Sequence, residues 1–92
     1  MYIVVHHRIS DPERFFAAAQ QGLANLPQGL VVHQVSPAKG SRSATCLWEA
    51  DSIEAVQNFL EPAVGDVSEN TYYEVDEPNA IGLPRRREES PA

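Results

Sequence analysis

Two passes of strand, helix, strand limit what this chain can fold into. Tyr2 to Ile9 is short and dense in Val and Ile, the pattern of a strand. Ser10-Asp11-Pro12-Glu13 follows. Ser10 can cap a helix there, Glu13 closes a capping box, and proline suits the first turn. Phe15, Phe16, Ala19, Leu23 and Leu26 recur at helical spacing, and Pro27 and Gly29 end the segment. Leu30 to Val35 and Ala44 to Ala50 then read as two strands joined by the turn formers of Ser36 to Ser43. Asp51-Ser52-Ile53-Glu54 opens a second helix striped by Ile53, Val56, Phe59 and Leu60, which Pro62 is expected to break. Asn70 to Asp76, with Tyr72, Tyr73 and Val75, is a fourth strand.

The order β-α-β-β-α-β is the split-βαβ, ferredoxin-like arrangement. Right-handed crossovers give an all-antiparallel sheet of order 4-1-3-2 with both helices on one face. Residues 1–78 form this α+β domain. Residues 79–92 form an extension, partly disordered, whose Ala80-Ile81-Gly82-Leu83-Pro84 run is apolar enough to dock, for instance on a partner subunit.

Side chains alternate faces along a strand. Choosing parity so that the apolar set meets the helices sends Ile3, Val5, His7 and Ile9 inward from the first strand. Leu30, Val32 and Gln34 point inward from the second, Ala44, Cys46, Trp48 and Ala50 from the third, and Thr71, Tyr73 and Val75 from the fourth. The open face then collects His6, Arg8, His33, Glu49, Tyr72 and Glu74 among Val4, Val31, Val35 and Leu47. A face half apolar and half ionisable suits a sheet that packs on a second copy of itself around a lined cavity. A chain of 92 residues buries roughly two-thirds or less of its unfolded surface, so a homodimer would add needed stability.

Composition narrows the partners. The net charge is −6, and the body without the last eight residues carries four basic and eleven acidic groups. Such a body repels nucleic acid and anionic membranes. Arg85-Arg86-Arg87 is followed by Glu88 and Glu89, and it reads as a solvated, disordered end rather than a basic patch. No apolar run reaches the ~20 residues that span a bilayer. The start, Met1-Tyr2-Ile3-Val4-Val5, enters a strand without a basic leader. Cys46 is the single cysteine, which forbids an intrachain disulfide and fits a reducing cytoplasm. In an apolar strand it reads as a small buried hydrophobe.

The pattern resembles the dimeric α+β barrel superfamily, in which two ferredoxin-like protomers pack sheet to sheet around a pocket. Val31-Val32-His33-Gln34-Val35 with Thr45-Cys46-Leu47-Trp48-Glu49-Ala50 is similar to the "VHSY … CVYEAP" pattern of a small bacterial family. That family is mostly of unknown function and includes a nickel-binding member. The similarity spans residues 30–60. Asp51 stands where that pattern has proline, and the His6-His7 stretch matches no motif of it.

Three functions fit these residues. The first is a small-ligand or divalent-metal binding protein with its pocket between the sheets of the dimer. His6, His33 and Glu49 come from adjacent strands and form a two-His, one-carboxylate set for nickel or zinc. Arg8, Tyr72 and Glu74 line the rest of that pocket. The second, implied by the superfamily resemblance, is a cofactor-free monooxygenase or isomerase on a small aromatic or polyketide-like substrate. There His33 is the catalytic base and Glu49 orients it. The third is a non-catalytic binding module. The plainer alternatives are hydrogen-bonded, partly buried histidines, a core role for Trp48 and a dimer contact for Tyr72. No GxSxG or phosphate-binding glycine loop is present.

Overall fold

The structure is a computed structural model and describes residues 1–84. It contains β1 (Tyr2–Ile9), α1 (Pro12–Leu23), β2 (Val31–Pro37), β3 (Ser43–Glu49), α2 (Ile53–Val64) and β4 (Ser68–Glu74). A single 3-10 turn at Glu77–Asn79 follows. The sheet order is β2-β3-β1-β4 and every pairing is antiparallel. This is the expected 4-1-3-2 order of the ferredoxin-like fold, read from the other edge. The arginine run of the tail lies outside the described residues.

The core lies between the helices and one sheet face. Ile3, Val5, Ile9, Ala44, Cys46 and Trp48 supply the sheet side, and Phe15, Val56, Leu60 and Val64 supply the helix side. The helix ends differ from expectation. Asp11 caps α1, its carboxylate accepting the Arg14 N–H at 3.2 Å. Ser10 is engaged elsewhere, donating to the Val67 carbonyl at 3.1 Å, and this ties the start of α1 to the α2–β4 turn. Ser52 caps α2 by accepting the Ala55 N–H at 3.1 Å. Pro62 does not break α2, which runs on to Val64. Its missing N–H falls in the last turn, and α2 carries its buried stripe Val56, Leu60, Val64 across it. Burying Val64 is worth about 1.5–3 kcal/mol, enough to offset most of a proline's cost of roughly 3 kcal/mol in a helix interior.

Two strands correct the expected face assignments. In β2 the pairing shifts between Val32 and Gln34, so His33 is the extra residue of a bulge. A bulge reverses the parity of everything after it. Val31 and Val32 pair with Glu49 and Trp48, but Gln34 now shares the open face with Leu47, while Val35 joins Cys46 on the helix side. In β4 the whole strand takes the opposite parity to that expected. Val5 pairs with Tyr72 and Ile3 with Glu74, which puts Tyr72 and Glu74 on the helix side. Tyr73 pairs with Val4 on the open face and is 56% exposed. Polar anchoring decides this register. Ser68, at the start of β4, donates to the Val64 carbonyl at 3.0 Å, and Asn70 and Tyr72 both donate to Glu61 of α2.

Candidate functional site

The six residues expected to share the open face separate into distinct places. His33 and Glu49 meet: His33 Nε2–H donates to Glu49 Oε1 at 3.0 Å, with 13% and 15% of their side chains exposed. The Tyr2 ring packs on His33 with centroids 5.6 Å apart. The chain after β4 folds back here, and the Tyr2 hydroxyl donates to the Pro84 carbonyl at 2.7 Å. Pro84 thus meets its own protomer at this point, while Ile81 of the same run is 99% exposed. The His33–Glu49 pair fastens the β2 bulge to β3 beneath Tyr2.

His6 does not join them. It pairs with Thr45 while Glu49 pairs with Tyr2. Four residues along β1 amount to about 13 Å. His6 is exposed, and Arg8 faces Glu69 across 3.6 Å of open surface, with side chains 76% and 82% exposed. Tyr72 and Glu74 point to the other face. The expected set of His6, His33 and Glu49 is therefore not assembled. No group of three metal-ligating side chains comes together among the described residues.

A different constellation forms on the helix side, around His7. His7 is 1% exposed and edges onto Phe15 with centroids 5.1 Å apart. Its Nδ1 lies 2.6 Å from Asn70 Oδ1, and its Nε2 lies 3.2 Å from Cys46 Sγ. Asn70 Nδ2 donates to Glu61 Oε2 at 2.9 Å, and the Tyr72 hydroxyl donates to the same oxygen at 2.5 Å. Ser68 Oγ donates to Asn70 Oδ1 at 2.8 Å.

These contacts fix the proton positions. A carboxylate only accepts, so Glu61 selects the Asn70 amide group that turns toward it. Asn70 Oδ1 is left to accept from Ser68 and from His7 Nδ1–H. Burial is the largest influence on His7 and lowers its pKa, working with the neighbouring His6, while Asn70 and Glu61 raise it less. The imidazole is therefore neutral near pH 7, with its Nε2 lone pair facing the Cys46 thiol. Burial pushes that thiol up to about 11, so it keeps its proton.

His7 and Cys46 border a small apolar chamber between sheet and helices. Its other walls include Phe15, Leu23, Trp48 and Phe59, and Val35 (38% exposed) forms its rim on β2. The cavity is ≈ 30 Å³, room for roughly two waters. The Trp48 indole is 1% exposed, and its Nε1–H has no hydrogen-bond partner among the described residues. A buried donor without a partner costs about 1–3 kcal/mol and is uncommon in native interiors. The inward parity of His7, Cys46 and Trp48 was legible in the sequence. Asn70 and Glu61 were missed, because the link between them depends on the β4 register.

Comparison with known proteins is consistent with the architecture. A Deinococcus radiodurans crystal structure, provisionally described as an antibiotic biosynthesis monooxygenase, superposes with a TM-score of 0.50 at 16% identity, covering 92% of this chain and 100% of that one. No protein-family model matches the chain, and no curated protein matches it in sequence. No helix among the described residues is long and apolar enough to cross a membrane. The comparisons support one conclusion: the chain has the ferredoxin-like α+β fold also found in that Deinococcus protein.

Proposed function

We propose that this protein binds a small aromatic hydroxyl compound in the chamber between helices and sheet, and that His7 takes a proton from it there. The class is a cofactor-free monooxygenase or isomerase, working as a homodimer joined through the open sheet face. The observation that carries this reading is the chamber itself. Its walls are aromatic and aliphatic, with a neutral imidazole and an unpartnered indole N–H among them. Sites of this composition suit flat apolar ligands held by a few polar groups. The name given to the Deinococcus protein belongs to the same reaction class.

In this reading the ligand hydroxyl or an activated C–H approaches His7 Nε2 and displaces the Cys46 thiol from it. Asn70 holds Nδ1–H, so the imidazole accepts the proton at Nε2. The imidazolium is then stabilised through Asn70 by the Glu61 carboxylate. The electron-rich anion left behind is the species that a cofactor-free oxygenase presents to dioxygen, or that an isomerase reprotonates elsewhere. A ring is larger than the present cavity, so Leu23 and Phe59 must give way on binding.

Trp48 is the only tryptophan, and its emission reports on the chamber alone. Titration with 4-bromophenol should quench it saturably through the heavy atom. Quenching that stays linear in ligand, as for free tryptophan in water, would contradict binding in the chamber.

A further inference from the structure

We propose that Cys46 is a nucleophile for electrophilic molecules that enter the chamber, specifically α,β-unsaturated carbonyl compounds, with His7 as its base. The proposal rests on the chamber being a ligand site. Its own observation is the unbroken chain Cys46, His7, Asn70, Glu61. A thiol, an imidazole and an amide in this order form a nucleophile, a base and a group that orients the base. None of the four is an isolated buried polar residue.

The electron count closes without any further reactant. Cys46 Sγ bonds to the β-carbon of the enone as its proton passes to His7 Nε2. The C=C π pair moves toward the carbonyl and gives an enolate. The imidazolium then returns the proton to the α-carbon. The product is a thioether, and nothing is oxidised or reduced. Trp48 supplies what the enolate oxygen needs. It stands two residues from Cys46 on the same face of β3, borders the same chamber, and carries a buried N–H with no partner. Donors aimed at a developing oxyanion in a water-poor site stabilise it far more than they would in water. Asn70 does not touch the ligand, and it acts as a positioning residue.

Burial keeps the thiol protonated, so attack requires the base in the same step. That gives a signature in the pH profile. An ordinary thiol reacts as its thiolate, so its rate falls about tenfold per pH unit below its pKa. The groups facing His7 are Cys46 from β3, Glu61 from α2, Asn70 and Tyr72 from β4, and His6 beside it in β1. The Cys46 thiol, pushed up to about 11, and the Tyr72 hydroxyl, also raised by burial, both keep their protons between pH 7 and 9.

The test uses the full chain with 2-cyclopenten-1-one, and cyclopentanone as the unreactive counterpart. Cys46 is the only cysteine, so intact mass identifies a thioether adduct there. The expected rate is level from pH 7 to 9 and falls only as His7 protonates. Excess cyclopentanone should slow it. Asn70→Ala should slow it by about 100-fold or less, the lower range of a positioned base, while cyclopentanone still shifts Trp48 emission. If the wild-type rate falls about tenfold per pH unit, or ignores cyclopentanone, Cys46 is reacting as an ordinary thiol and the proposal is overturned. If cyclopentanone shifts Trp48 emission but no adduct forms, the covalent step fails and the ligand site stands. If neither occurs, both fail.

Discussion

His7 Nε2 lies 3.2 Å from Cys46 Sγ, inside the core and beneath both helices. Each residue comes from the inward set of its strand, and each is flanked there by apolar neighbours. A histidine so placed carries a pH dependence. Its folded pKa is lowered, chiefly by burial. Above 6.5 it is neutral in both folded and unfolded chains and costs nothing. As pH falls below 6.5 the unfolded chain binds a proton that the folded one resists, so stability declines toward the folded pKa. Cys46 has the opposite sense. Its folded pKa is raised from 9.0 to about 11, so stability is full below 9 and is lost as pH rises to 11. Thermal unfolding across pH 5 to 11 should show both limbs. Cys46→Ala should remove the loss that begins near pH 9 and leave the acid limb, while the partly buried Tyr72 hydroxyl, also raised from 10.0, keeps its own loss above pH 10.

Gly22 controls the size of the chamber. A Cβ at this position would sit 3.1 Å from Phe59 Cζ. Gly22→Ala gains up to about 1 kcal/mol of helix propensity, and presses the Phe59 ring toward Trp48, now 5.8 Å away between centroids. The expected outcome is a melting temperature within a few degrees of wild type and at least a tenfold weaker response of Trp48 to 4-bromophenol, about 1.4 kcal/mol.

His33→Ala separates the bulge contact from the chamber. Removing the imidazole takes one partner from a largely buried Glu49 carboxylate and strips the Tyr2 ring of its neighbour. Stability should fall by roughly 1–3 kcal/mol in denaturant unfolding. Binding of 4-bromophenol should be unchanged. Loss of binding without loss of stability would return the site to the open face.

The open face should carry the dimer. Val4, Val31 and Leu47 are only half-buried there, and Tyr73 is 56% exposed beside them. Light scattering at micromolar concentration should give twice the mass of one chain, and Val4→Lys should halve it. A single-chain mass for the wild type would refute the dimer.

The element order and strand order were legible because two helical periods and four short β-rich runs permit few right-handed arrangements. Polar detail was less so. Ser10 and Asp11 both fit a helix cap, and only the Val67 carbonyl, 57 residues away, draws Ser10 off. The bulge at His33 leaves no period in a seven-residue strand, yet it moves Val35 to the chamber rim. In β4 each parity carries a tyrosine, so apolar counting could not choose. Glu61 chose, by collecting Asn70 and Tyr72 on the helix side. That single register moved the candidate site from one face of the sheet to the other.

The most direct test is a crystal structure with 4-bromophenol, in which anomalous scattering from bromine marks the ligand. The account predicts a peak between sheet and helices, walled by Phe15, Trp48 and Phe59, with the phenol oxygen at His7 Nε2. A peak on the open face beside Tyr2 and His33, with the chamber empty, would contradict it.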